Sequence, residues 1–313
     1  METPLVSVIV PNYNYAAYLP DCIHSVLSQT IKNIECIVVD DGSTDNSVEV
    51  LRKLSSEDSR LHIVLKSNSG PGMSRNEGMK CAAGRYISFI DSDDKWGARK
   101  LENQLNVMNK MNADFIFSNS SLFDNKGTIH KIEYKSRSLT VYDFIAGNPI
   151  SGSASSVMMK REVFEKVGFF ETQSRYAEDL NYWFVCFFNK FKFAHCSSYD
   201  VFVRSHSGSV TKTFYNRMFD FNLLILEREL RMLKEMKYEM EQKKFLAALS
   251  ARLRGARWYA RDSRDYKRIL LSYSAGIKMY GIGYMFQTNV FEDLYIDAKQ
   301  ILLPKRFGKF ENK

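Results

Sequence analysis

No run of apolar residues in this chain reaches membrane-spanning length; the best candidate, residues 269–290, is interrupted by Lys278 and several glycines. The opening Met1-Glu2-Thr3-Pro4-Leu5 lacks the basic and apolar regions of a secretory signal. Cysteine is sparse: Cys22, Cys36, Cys81, Cys186 and Cys196 are odd in number and scattered, with no Cys-x-x-Cys pair. A zinc site or disulfide framework is therefore not expected, and a reducing, cytoplasmic setting fits best. There is no internal repeat and no low-complexity tract. A hydrophobic content of 45% over 313 residues supports a sizeable core, enough for one large domain with an appendage or two ordinary domains. The formal net charge of +8 favours acidic partners. Nucleotides, anionic lipid and nucleic acid all qualify, so the sign of the charge does not choose among them.

What is present is an alternation of strand and helix signals through the first two-thirds. Val6-Ser7-Val8-Ile9-Val10-Pro11 reads as a strand, and Leu19, Ile23, Val26 and Leu27 have helical spacing within residues 18–29. Strands follow at 35–40, 61–65, 86–90 and 114–118, with helices at 44–54, 72–83 and 96–111 between or after them. Asp41 or Ser43 is expected to cap the helix through Leu54. Such alternation predicts a mainly parallel sheet covered by helices on both faces. Residues 125–155 lose the pattern, and 147–153 read as a loop near a pocket. Val157-Met158-Met159 should return to the sheet.

The fourth strand ends in Asp91-Ser92-Asp93-Asp94, three carboxylates within four residues. Like charges this close repel and raise carboxylate pKa values, so the arrangement gains nothing unless something offsets them. A hard divalent cation does so, bridging carboxylates to phosphate oxygens, and ligands of open α/β sheets sit just beyond such strand ends.

Four other segments converge on the same expected rim. Pro11-Asn12-Tyr13-Asn14 leaves strand one with a fixed φ and a ring suited to stacking on a nucleobase. Asp40 ends strand two, placed to accept from a uracil imide N–H or a ribose hydroxyl. The stretch from Asn68 through Arg75 to Gly78 is small and flexible before a helix, with Arg75 suited to phosphate or base. Glu178-Asp179 opens an aromatic helix, where the dipole favours negative charge and an ionised carboxylate can serve as general base.

In this order, Val-Ile-Val-Pro-Asn-Tyr-Asn, Val-Val-Asp-Asp-Gly-Ser-Thr-Asp, Arg-Asn-x-Gly, Asp-Ser-Asp-Asp and Glu-Asp resemble the inverting family 2 glycosyltransferases, across roughly residues 6–209. The resemblance implies an α/β GT-A fold and a nucleotide-sugar donor, with Mn²⁺ or Mg²⁺ as cofactor. It places Pro11, Tyr13 and Asp40 on the uridine, with Asn68, Arg75, Asp91 and Ser92 also on the nucleotide sugar. Asp91 and Asp93 form the Asp-x-Asp motif, Asp91 toward the ribose and Asp93 on the metal, with Asp91 also a candidate metal ligand. Asp179 matches the base and Glu178 its support, while His206 could touch the metal or diphosphate. A saccharide or lipid-linked acceptor is implied, with no nucleic-acid partner; a bacterial surface-polysaccharide pathway is the setting expected by analogy.

Two other functions stay open on the residues alone. A nucleotidyltransferase should carry a glycine-rich loop with Arg and Lys after strand one, where Asn12-Tyr13-Asn14-Tyr15 stands. A non-catalytic sugar-nucleotide or carbohydrate-binding subunit would keep the pocket. The expected domains are a catalytic domain at 1–215 and a basic helical region at 216–313. There Arg254, Arg257, Arg261, Arg264 and Arg268 fall three and four apart beside apolar Leu249, Leu253, Ala256 and Ala260. Such a basic helix face, with Leu302-Leu303-Pro304-Lys305-Arg306-Phe307, suggests peripheral binding to the inner face of an anionic membrane.

Overall fold

A computed structural model describes residues 3–124, 126–127, 129–134, 138–150, 154–172, 178–206, 218–262 and 265–280, with isolated positions 284, 290, 293, 294 and 297. These residues fall into two compact units. The first comprises Met1–Ser138 and Ile150–His206, the second Leu139–Pro149 and Ser207–Lys313.

The first unit is built on seven strands: β1 (Val6–Asn12), β2 (Ile34–Asp40), β3 (Leu61–Leu65), β4 (Tyr86–Phe89), β6 (Phe115–Ser118), β9 (Val157–Lys160) and β10 (Phe193–Cys196). Their order is β10-β6-β9-β4-β1-β2-β3. All pairings are parallel except those of β9, which runs antiparallel to both β4 and β6. The expected mainly parallel sheet is therefore present. Its central strands are apolar at successive positions because helices cover both faces, and every residue of β2 is buried. At the edge, β3 alternates less cleanly and leaves His62 and Leu65 exposed.

Helices α1 (Leu19–Leu27), α2 (Ser47–Glu57), α3 (Pro71–Cys81) and α4 (Lys100–Met111) connect the early strands. Of the residues whose spacing marks α1, Leu19, Ile23 and Val26 are in the core and Leu27 is partly buried, with Cys22 buried beside them. Helix α3 packs on β1 through Gly78, where an added Cβ would lie 2.4 Å from Ile9 Cγ2. Only a glycine admits that approach. The helix expected from residue 96 instead starts at Lys100, because Lys95–Trp96 forms a short strand, β5, paired with Val201–Phe202. Together with β7 (Ser120–Phe123), β8 (Ile129–Ile132) and β11 (Val201–Arg204), it makes a second, four-stranded sheet in the order β5-β11-β7-β8. Helices α6 (Arg161–Val167) and α7 (Glu178–Phe188) complete this unit.

The second unit holds α5 (Val141–Ala146), α8 (Met218–Glu235), α9 (Gln242–Asp262) and α10 (Tyr266–Tyr280). Residues 139–149, placed by sequence in the first domain, group here because α5 packs on α9. The apolar seam expected on α9 forms: Leu249, Leu253, Ala256 and Ala260 are at most 1% exposed.

The continuous basic face does not form. Helix α9 ends before Arg268, and Arg257 is fully buried, donating to Asp293 Oδ2 at 2.6 Å and Tyr284 Oη at 3.1 Å. Arg254 meets the same carboxylate, and Arg268 pairs with Asp220 and Asp265. A buried guanidinium needs paired acceptors, and distant carboxylates supply them, so helical spacing was no guide to exposure here. Arg264, the Arg261 side chain and residues 302–307 lie outside the described residues. No helix among those described is long and apolar enough to cross a membrane.

Candidate active site

The chain passes from β1 to β2 and β3 on one side of the sheet and returns to β4 on the other, so the ends of β1, β2 and β4 share one rim. Asn12, the last residue of β1, stands opposite Asp40, the last of β2. Asp40 is 1% exposed and both its oxygens are engaged. Oδ2 accepts from Asn12 Nδ2 at 2.8 Å and Ser43 Oγ at 2.7 Å, and Oδ1 from the Ser43 N–H at 2.9 Å. The Asn14 Oδ1 accepts from the Thr44 N–H, tying this turn to the end of β1. Asp41 does not cap α2: it accepts from Lys66 and from the N–H groups of Ser69 and Gly70, holding the loop before α3. Tyr13 is exposed at the rim and Pro11 partly buried within β1, while Asn68 is exposed on that loop.

Beyond β4 the acidic turn closes with the Asp94 N–H donating to the Asp91 carbonyl. Its three carboxylates face different neighbours. Asp91 accepts from Arg75 Nη2 at 2.7 Å. Asp93 Oδ2 lies 2.9 Å from His206 Nε2. Asp94 is buried, its Oδ2 accepting from Ser155 Oγ at 2.6 Å and its Oδ1 from the Arg204 N–H at 2.9 Å. Ser92 is buried within the turn. Burial first, and then mutual repulsion, push Asp93 and Asp94 above the usual carboxylate range. Tyr15, whose ring meets that of His206 edge-on, is raised by burial and then by the Asp93 and Asp91 charges.

Arg75 joins this turn to α7. Its buried guanidinium donates Nη1 to Glu178 Oε1 at 2.5 Å as well as Nη2 to Asp91. Burial raises Glu178 to about 7, against the lowering pull of Arg75. Asp179, beside it at the helix N-terminus, is partly buried, and burial raises its pKa while Arg75 opposes the rise. Its Oδ1 accepts from the Leu180 N–H at 2.7 Å, and Oδ2 has no hydrogen bond among the described residues. Tyr176 and Ala177, also in the motif, lie outside the described residues.

Asp94, Ser155, Arg204 and Tyr15, which no motif assigns a site role, all touch this cluster. Asp94 was visible as an extra acid in the turn; Ser155 carried no local signal, since its partner is 61 positions away.

Among the described residues, no group of three or more His, Cys, Asp or Glu side chains is set out to hold a metal ion. Asp93 and His206 nevertheless fit as two ligands of one. Neighbouring ligands of an octahedral cation, each at about 2.1 Å, lie about 3 Å apart, which matches their separation. Crowded acids beside them supply the charge that a cation would offset.

Residues 7–168 match the family described as Glycosyl transferase family 2. The chain belongs to that family. Similar chains include TuaG of Bacillus subtilis (strain 168), whose name is "Putative teichuronic acid biosynthesis glycosyltransferase TuaG". It is 41% identical over 182 residues, 58% of this chain and 71% of its own. An uncharacterized glycosyltransferase of Haemophilus influenzae is 32% identical over 241 residues, 76% of this chain and 94% of its own. The fold is GT-A, as in S. aureus TarS 1-349 in complex with UDP-GlcNAc, which superposes with a TM-score of 0.60 at 19% identity over 94% of this chain and 92% of that one. The mannosyltransferase PcManGT from Pyrobaculum calidifontis, in complex with GDP-Man and Mn2+, gives 0.53 at 17% identity over 97% and 89%. This family 2 chain is therefore a glycosyltransferase, and its motifs from Asp40 to Asp93 fall within the matched segment.

Proposed function

We propose that the chain transfers a hexosyl group from a nucleoside-diphosphate sugar, a UDP-sugar, to a hydroxyl of a saccharide or lipid-linked acceptor, with inversion at the anomeric carbon. The observation that carries the reading is the division of labour among the carboxylates. Asp91 and Glu178 share Arg75 and Asp93 meets His206, whereas Asp179 accepts only from the Leu180 backbone N–H and meets no side-chain donor among the described residues. A single poised carboxylate suits a general base that takes the acceptor hydroxyl proton. Attack by that oxygen opposite the leaving diphosphate inverts the centre, with no second carboxylate needed as covalent nucleophile.

Asp93 and His206 would hold Mn²⁺ or Mg²⁺. When bound, the ion offsets negative charge developing on the leaving nucleoside diphosphate. Exposed Tyr13 would stack on the base, and Asp40 would act chiefly by fixing Asn12 and Ser43 at the pocket wall. A relative named for teichuronic acid biosynthesis supports work in a bacterial surface-polysaccharide pathway. Placement in the cytoplasm, with peripheral contact to the membrane through a lipid-linked acceptor, belongs to the same reading.

Thermal shift across a panel of nucleotide sugars, with and without Mn²⁺, tests it. A UDP-sugar should raise the melting temperature more when Mn²⁺ is present, because bound ligand stabilises by the logarithm of its saturation. Indifference to every donor, with or without metal, would refute the assignment. Donor binding without transfer or donor hydrolysis would favour a binding subunit.

A further inference from the structure

The four-stranded sheet presents a face that the transfer chemistry does not use. Side chains at paired positions on neighbouring strands share a face. Phe202 pairs with Lys95 on one side and Ser121 on the other, and Ser121 with Lys131. Two residues further on, Arg204 pairs with Phe123, and Phe123 with Ile129. One face thus carries three cations, two phenylalanines and an isoleucine.

The contacts agree with this register. Lys95 Nζ lies 4.7 Å from the centre of the Phe123 ring, and the Arg204 guanidinium 4.6 Å from it. Lys131 Nζ sits 4.8 Å from the centre of the Tyr199 ring. Lys95, Trp96, Phe123, Gly127, Ile129 and Phe202 line an open cavity of about 360 Å³, within the range of small-molecule sites. Neither Lys95 nor Lys131 pairs with a carboxylate among the described residues, whereas Arg204 meets Asp21 at 3.3 Å. Lysines laid over rings can be a plain solvated surface, worth little in stability. Continuity with the reaction centre argues for more. Lys95 directly follows Asp94, and Arg204 Nε donates to the Asp93 carbonyl at 2.8 Å.

We propose that this face is a subsite for an acidic stretch of the acceptor glycan. Sugar rings would lie against Phe202 and Ile129, while their carboxylate or phosphate groups meet Lys95 and Lys131. Charge and aromatic surface together choose an anionic saccharide over a neutral one: Lys95 and Lys131 meet no carboxylate among the described residues, and the rings offer flat apolar area that a pyranose face can cover. The proposal rests on the transferase reading for its link to an acceptor, but the binding itself can be measured separately.

Isothermal titration of the full chain at low salt with tetragalacturonate and with neutral maltotetraose is the test. The acidic tetrasaccharide should bind at least tenfold more tightly, and the advantage should shrink at high salt. The double variant Lys95→Gln, Lys131→Gln should abolish that advantage, and Phe202→Ser should weaken both ligands. Unchanged UDP-dependent thermal shifts would show that the variants fold and keep the donor site. Equal affinity for the two sugars, binding of neither, or an unaltered double variant would overturn the proposal. So would loss, in the double variant, of binding to phosphatidylglycerol vesicles when tetragalacturonate is not bound, since the face would then serve lipid. Wild-type chain that binds tetragalacturonate but shows no UDP response would sink the donor assignment and leave the subsite standing.

Discussion

Arg75 Nη1 donates to Glu178 Oε1 at 2.5 Å, joining helix α3 to helix α7 across 103 positions of sequence. Because Nη2 of the same group meets Asp91, one buried cation holds together two acids that would otherwise repel. That clamp couples the acidic turn after β4 to the helix bearing Asp179. The pair therefore bears on both stability and chemistry.

Replacing Arg75 with Met leaves the buried Glu178 and the partly exposed Asp91 without their cation, which should cost about 3–5 kcal/mol. Urea unfolding of the variant at neutral pH measures it. A loss below about 1 kcal/mol would mean that solvent already screens the pair.

Glu178 should leave a mark on the pH dependence of stability. Burial holds it at about 7 in the folded chain, above its ordinary 4.5, so between those values the folded chain keeps a proton that the unfolded chain has released. The contribution is fully present below about pH 4.5 and is lost as pH rises through about 7, amounting to about 3 kcal/mol. In Glu178→Gln the slope of stability against pH over this window should flatten; an identical slope in both proteins would contradict the account.

Asp179→Asn should lower kcat by roughly 10²–10⁴-fold while UDP and Mn²⁺ still shift the melting temperature, because the base acts on the acceptor and not the donor. In the wild type, the acidic limb of the rate profile should lie above the ordinary Asp range, following the direction in which burial moves this carboxyl. Activity retained within threefold in the variant would remove Asp179 from the mechanism.

Ser155→Ala takes a hydroxyl from between the Asp91 N–H and Asp94 Oδ2. Leaving the buried Asp94 short of a donor should cost about 1–3 kcal/mol. Since Asp94 also accepts from the Arg204 N–H, two residues before His206, Mn²⁺ affinity should fall more than UDP affinity. Equal losses of the two would assign Ser155 a general packing role.

Gly78→Ala tests the seat of α3 on the sheet. The new methyl would meet Ile9 side-chain atoms at 2.4 Å and 3.2 Å, so overpacking should cost about 1–3 kcal/mol by thermal or urea melting. A melting temperature equal to wild type would show that Ile9 can move aside.

Much of the rim was legible because its residues sit at the ends of strands whose apolar runs mark them clearly. Asp40 and Asp91 each follow such a run, and Glu178 and Asp179 open a helix that shows its own aromatic pattern. Trp96 reads as helical because it borders a helical stretch, yet Lys95 and Trp96 pair with Phe202 and Val201 in a strand. Propensity is weak against such long-range pairing.

The amino-acid sequence by itself determined the layered α/β plan and the placing of acids at strand ends, since hydrophobic period and strand length act within a few residues. Only tertiary structure decided which acid meets which partner: Asp91 and Glu178 with Arg75, Asp93 with His206, Asp94 with Ser155 and Arg204. It likewise turned Arg257 from an expected surface charge into a buried tie to Asp293. Those choices depend on which distant groups packing brings within about 3 Å, and a buried charge persists only where such a partner arrives.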